Sequence, residues 1–151
     1  MIAIARYGRK PNIQTSNSSS TYSGSGSSFA QPTNLSLTVT THGYPIWLML
    51  IDDGSTSQSY VAGTSNTGND SCYIETSFFQ DSTQLQYTTP GINAVAANNP
   101  AFYLPPSAFQ YVYTPSPGSY TYTFKIRANN VGSGDSYYVY RCKLVVYELG
   151  Y

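Results

Sequence analysis

Between residues 119 and 128, Tyr120, Tyr122, Phe124, Ile126 and Ala128 alternate with Thr121, Thr123, Lys125 and Arg127. Between residues 137 and 146, Tyr138, Tyr140, Cys142, Leu144 and Val146 alternate with Tyr137, Val139, Arg141, Lys143 and Val145. Successive side chains on a strand point to opposite faces, so strict alternation reads as one dry face and one wetter face. The first set of each run is expected on the dry side. The turn-rich stretch 129–135 joins the runs, and the pattern predicts a long antiparallel hairpin.

Upstream, Leu35, Leu37 and Val39 alternate with Ser36, Thr38 and Thr40, a half-buried strand. The run Ile46-Trp47-Leu48-Met49-Leu50-Ile51 is apolar throughout and reads as a strand buried on both faces, with Trp47 in the core. A short strand is expected at 59–62. Residues 72–79 and 83–87 bracket Gln80-Asp81-Ser82 as a hairpin, and 102–104 and 108–112 are extended on either side of Pro105-Pro106, which lack ladder donors. Strands this short, with turn signals every ~8–12 residues, define an all-β fold: an antiparallel jelly roll or β-sandwich of about eight strands. Residues 34–151 form its body. Residues 1–33, Ser-rich with Gly24 and Gly26, read as an extended N-terminal arm that needs a neighbour to order it.

Composition changes the picture in one respect. Only 9% of residues are charged, against about 25% in ordinary soluble domains, and the formal net charge is zero. The chain carries 16 tyrosines. Protein interfaces favour Tyr and disfavour Lys, Glu and Asp, so this surface suits contact with other subunits. Arg6, Arg9 and Lys10 precede every acid, the first of which is Asp52. The arm is therefore weakly basic and the body weakly acidic, with too few cations for a nucleic-acid footprint. No apolar run reaches membrane-spanning length and no leader pattern is evident, so assembly in a cytoplasm is expected.

Catalytic signals are sparse. His42, the single histidine, sits beside Gly43 and reads as a turn residue. Asp52-Asp53-Gly54-Ser55 lacks the spaced acids of a calcium loop and reads as a β-turn. Glu75 and Asp81 are too isolated for a glycosidase pair. Cys72 and Cys142 are expected as free buried thiols. No cofactor or metal is expected. The polar loop at 90–100 is the candidate for a variable outer surface.

The stretch Thr114-Pro115-Ser116-Pro117-Gly118-Ser119-Tyr120-Thr121-Tyr122-Thr123-Phe124, with Lys143-Leu144-Val145-Val146-Tyr147-Glu148-Leu149 closing the chain, resembles compact jelly rolls of the tumour-necrosis-factor and complement-C1q type. About forty residues carry that resemblance. With its low charge and Ser/Thr/Tyr/Asn bias, the whole is similar to small virion proteins of tailed bacteriophages, both head decoration (cement) proteins and tail-fibre tips. The resemblance implies a homotrimer and an arm that contacts the particle. The Ser-rich arm departs from the animal families and leaves their receptor-binding role without support.

The expected function is therefore non-enzymatic: a capsid decoration protein that stabilises the head of a virion as a trimer. Its partners would be copies of itself and the major capsid or another virion protein. Neither nucleic acid nor membrane is expected as a partner. The contact residues expected in the arm are Ile2, Ile4, Arg6, Tyr7, Arg9, Lys10, Ile13, Tyr22 and Phe29. The alternative is a tail-fibre or spike tip that binds host surface glycans.

Overall fold

The computed structural model describes residues 11–65, 72–92, 101–129 and 135–150. Thirteen strands lie among them: β1 (Asn12–Thr15), β2 (Thr21–Gly24), β3 (Ser36–Thr41), β4 (Ile46–Asp52), β5 (Tyr60–Thr64), β6 (Cys72–Gln80), β7 (Thr83–Thr88), β8 (Gly91–Ile92), β9 (Ala101–Leu104), β10 (Gln110–Tyr113), β11 (Gly118–Ala128), β12 (Ser136–Tyr140) and β13 (Cys142–Glu148). All pairings are antiparallel. The sheet orders are β1-β13-β4-β10, β2-β12-β5-β9 and β3-β11-β6-β7, with β8 also paired to β6.

The first two orders match member for member. β1 leads into β2, β4 into β5, β9 into β10 and β12 into β13. These two sheets are therefore one four-stranded sheet broken along a transverse line. Counted this way, and setting aside the two-residue β8, eight through-strands remain. In chain order, the broken sheet runs first, eighth, third, sixth, and the unbroken one second, seventh, fourth, fifth. This is the two-Greek-key jelly roll, the all-β class read from the turn spacing.

The chain makes the break with local devices. Between β12 and β13, Arg141 takes φ +51°, and opposite it, between β1 and β2, Ser20 takes φ +50°. The Arg141 N–H donates to Ser20 O at 2.7 Å across the line. A short 3-10 turn at Pro106–Ala108 separates β9 from β10. Between β4 and β5, Gly54 at φ +80° lets the chain turn.

The expected closing hairpin does not form. β11 pairs with β3 and β6, β12 with β2 and β5, and β13 with β1 and β4. The two alternating runs are strands, but they belong to opposite layers and turn their dry faces toward each other. The seven-residue connection at 129–135 is long enough to cross between layers, where a tight turn would have forced pairing.

The core lies between the layers. Leu35, Ile46, Leu48, Leu50, Val61, Ile74, Tyr122, Phe124, Ile126, Val139, Leu144 and Val146 have no exposed surface. Phe124 sits edge-on to Phe78 at 5.5 Å and to Phe109 at 5.6 Å, a favoured aromatic geometry.

Two face assignments differ from the alternation. In β12 it is Tyr137 and Val139 that point inward, while Tyr138 and Tyr140 face out. Beyond the break, Cys142, Leu144 and Val146 point inward as expected. Arg141 acts as a single extra residue that resets the parity, much as a β-bulge does. In β4, Ile46, Leu48 and Leu50 are buried, but Trp47, Met49 and Ile51 lie on the outer face and are only half-buried. Trp47 is thus not a core residue; its indole N–H donates to Gln110 Oε1 at 3.1 Å.

The stretch expected as an arm over residues 1–33 joins the body from residue 12 onward. β1 and β2 form the first through-strand of the broken sheet. Farther along, Ala30 pairs with Ile126 of the other layer. Serine makes this order attainable without an apolar core. Ser16 and Ser19 are buried, and their hydroxyls accept the N–H groups of Leu144 and Cys142 at 3.0 and 3.1 Å. Their own N–H groups donate to the carbonyls of the same two residues at 2.9 and 2.8 Å. Each serine thus completes two backbone hydrogen bonds where the strand crosses the break.

Candidate functional site

Among the described residues, the histidine and carboxylates singled out in the sequence hold the fold together. His42 follows β3, and both its backbone N–H and its Nδ1 meet the carboxylate of Glu148 at the end of β13, the ring nitrogen at 2.9 Å. Glu148 is 2% exposed, so this contact clamps the turn after β3 to the last strand. Gly43, at φ +86°, supplies the turn read from the sequence. The Asp52 and Asp53 carboxylates accept the N–H groups of Gly54 and Ser55 at 2.6 and 2.9 Å, the side-chain capping that defines such turns. Hydrogen bonds from Ser55, aided by Ser18, hold the Asp53 carboxyl below the usual carboxylate range.

Glu75 is paired with Arg127, and Asp81 accepts the Thr121 N–H at 2.9 Å. Cys72 and Cys142 are free and buried, as expected, and burial pushes both thiols up to about 12. Among the described residues no group of three His, Cys, Asp or Glu side chains is placed to hold a metal. No described helix is long and apolar enough to cross a membrane.

What stands out is the outer face of the half-sheet β1-β13-β4-β10. Its register sets Ile13, Tyr147, Trp47 and Val112 in one row across all four strands. The next row on that face is Thr15, Val145, Met49 and Gln110. Ile13 is 57% and Val112 54% exposed, which leaves the two ends of the first row open to solvent. Neither row contains a charged residue. On this face Lys143 stands at the end next to the break, and its Nζ is turned to Asp53 O at 2.9 Å.

The predicted arm contacts divide into three groups. Ile2, Ile4, Arg6, Tyr7, Arg9 and Lys10 lie outside the described residues. Ile13 is brought to the apolar row. Tyr22 and Phe29 meet the protein's own body: Tyr22 stacks on Tyr137 at 6.2 Å, and Phe29 lies edge-on to Phe79 at 5.5 Å with the Arg127 guanidinium over its ring at 4.4 Å. Sequence reading missed Trp47, Val112 and Tyr147 as surface residues. The available signal was their equal parity within their strands, but the register that aligns them is a tertiary property. The loop at 90–100 enters the description only at its start, where β8 pairs with β6; residues 93–100 lie outside it.

No protein-family model matches the chain, and no curated protein matches it. Among solved structures, the chain is similar to infectious bursal disease virus strain Gt, with a TM-score of 0.44 and 10% identity over 93% of this chain and 34% of that one. It is similar to T=1 particles derived from infectious bursal virus, with a TM-score of 0.40 and 10% identity over 98% and 40% of the two chains. A T13 particle of infectious bursal disease virus gives a TM-score of 0.37 and 9% identity over 98% and 39%. The chain spans between a third and two fifths of the length of the solved structures it matches.

Proposed function

We propose that this chain is a structural protein of a virus particle: a capsid decoration protein that sits on the head surface as a homotrimer. The observation that carries the reading is the uncharged outer face with its aligned row Ile13, Tyr147, Trp47 and Val112. Such a face gains by leaving water. Fully burying an exposed large apolar side chain contributes about 1.5–3 kcal/mol, and Ile13 and Val112 at the ends of the row are more than half exposed. With zero formal net charge, little repulsion opposes contact between copies. The low-charge, Tyr-rich composition favours the same outcome.

In this reading the outer face packs against the neighbouring copy. The first ten residues, which precede the edge strand β1 in the chain, reach onto the capsid. Ile2, Ile4 and Tyr7 would supply apolar anchors there, and Arg6, Arg9 and Lys10 would meet acidic surface. Three such segments on one trimer bind together, and avidity multiplies weak single contacts. The protein performs no turnover; its work is mechanical.

Sedimentation velocity tests the assembly. The protein at micromolar concentration should sediment as a trimer, and Val112→Lys, which sets a charge in the row, should sediment as a folded monomer. A monodisperse monomer from the unaltered chain contradicts the reading. Deleting residues 2–10 should leave the trimer intact and abolish its occupancy of purified particles; full occupancy by the truncated protein removes the anchoring role.

A further inference from the structure

The other half of the broken sheet presents a different outer face. In β2-β12-β5-β9 the register sets Tyr138, Ala62 and Tyr103 side by side, with Tyr140 and Tyr60 paired in the next outward row. Ala62 is fully buried, so the small residue forms a floor between taller tyrosines. Tyr60 stacks on Tyr140 at 5.3 Å with 26° between planes, and stands edge-on to Tyr103 at 5.2 Å and 83°. Tyr103 is 63% exposed, the highest exposure among the large apolar side chains described. Beside these rings opens a groove of about 320 Å³, lined by Gln58, Ser59, Tyr60, Tyr103, Leu104 and Pro105. Its size falls at the lower end of ligand sites, about 300–1,000 Å³.

We infer that this groove is a binding site for a neutral carbohydrate, one or two pyranose units of an uncharged glycan. Each part of the lining selects against other chemistry. No lining residue is charged, although the Arg141 guanidinium lies over the neighbouring Tyr140 ring at 5.6 Å. Beside the apolar Leu104 and Pro105, the lining carries the hydroxyls of Tyr60, Tyr103 and Ser59 and the amide of Gln58. An apolar ligand would bury them unpaired, which costs free energy, whereas sugar hydroxyls pair them. The Ser59 Oγ is oriented by donating to Arg141 O at 2.8 Å, leaving its lone pairs for a ligand donor. Tyrosine rings held at two angles offer flat faces to the C–H side of a pyranose. Burial pushes the Tyr60 pKa above its ordinary value, with its neighbouring tyrosines adding to the effect, so its hydroxyl stays a donor through neutral pH. The groove is shallow and open, which suits the end or edge of a chain of sugars rather than an engulfed small molecule.

This site lies on the opposite side of the break from the assembly face and does not depend on it. The test is direct titration of the full-length protein with neutral oligosaccharides of glucose, galactose, mannose and N-acetylglucosamine, followed by tyrosine fluorescence and calorimetry. A glycan array carrying sialylated and sulfated forms is read in parallel. At least one neutral glycan should bind. Tyr103→Ala, at an exposed position that leaves the circular dichroism spectrum unchanged, should weaken it about tenfold or more, and Tyr103→Phe should retain most of the affinity. Gln58→Ala should weaken binding and shift preference among sugar stereoisomers, while Val112→Lys should leave it unaltered whatever it does to sedimentation. Absence of binding by every neutral glycan, preference for charged ones, or affinity indifferent to Tyr103→Ala overturns the assignment. Loss of the oligomer in Tyr103→Ala, without sugar binding by the unaltered chain, makes the face a protein contact and overturns it equally.

Discussion

The two halves of the broken sheet are built from the same four through-strands in the same order, yet their outer faces differ in chemistry. One half shows the row Ile13, Tyr147, Trp47 and Val112; the other shows Tyr60, Tyr103, Tyr138 and Tyr140 around Ala62. The inner faces of the two halves, by contrast, form one continuous apolar core. The difference arises at the break. A single left-handed residue, Arg141, changes which alternate positions of the eighth through-strand meet solvent. Without that reset, Tyr138 and Tyr140 would compete for the core and Val139 would lie outside. One backbone conformation therefore allows a fold with a single core to carry an aliphatic–aromatic outer face and a hydroxyl-bearing aromatic face.

The largest effect that can break this comparison is a charge on the inward side of β12. Val139→Asp should abolish folding, losing more than about 4 kcal/mol, because the carboxylate is buried without a partner. Tyr140→Ser, one residue away on the outer side, should fold and melt cooperatively. Thermal denaturation of the pair separates the observed parity from the one that plain alternation predicts, which would reverse the two outcomes.

Alkaline pH probes the same inward side. Burial pushes Cys72 and Cys142 from 9.0 up to about 12, and Tyr137 from 10.0 up to about 12. The fold prefers the neutral forms, so between these values the native state holds protons that the unfolded chain releases. This contribution to stability is complete below pH 9 and is lost as pH rises toward about 12. Urea midpoints should therefore fall steadily above pH 9, and neither thiol should react with iodoacetamide at pH 8 until denaturant is added. Double alanine substitution of the cysteines should flatten the part of that decline that the thiols cause.

The break itself is the next target. Arg141→Val puts a β-branched residue at a positive φ and should cost about 1–2 kcal/mol in denaturant unfolding. The smallest effect on stability is expected at the exposed end of the row Ile13, Tyr147, Trp47 and Val112. Val112→Lys should change it by no more than about 0.5 kcal/mol while dissociating the proposed oligomer. A large loss of stability from this substitution would mean that Val112 serves the fold and would blur the contrast between the faces.

Much of this was legible in the residues. The alternation in β11 places Tyr122, Phe124 and Ile126 inward, where they are fully buried. The β6–β7 hairpin, its turn at Asp81 and the turn at Gly54 follow from local chemistry and were readable too. Pairing partners were not readable, because a seven-residue connection permits either a hairpin or a crossing. The first through-strand was hidden for a different reason. Its serines look like linker by composition, and their value lies in hydroxyls aimed at Cys142 and Leu144, more than a hundred residues away. The parity reset was hidden because arginine carries no local preference for a positive φ, as Gly or Asn would. The candidate sites inherit these blind spots: Trp47, Tyr138 and Tyr103 become surface neighbours of their respective partners only once register and parity are known.

The pairing of β1 with β13 has a bearing on how the molecule comes into being. During synthesis, β1, the earliest of the described strands, emerges before β13 and must wait until that partner has left the ribosome. Until then an uncapped ladder and a row of serines stay wet. Closure of the long sheet is thus a late, distant-contact event of the kind that slows β-proteins.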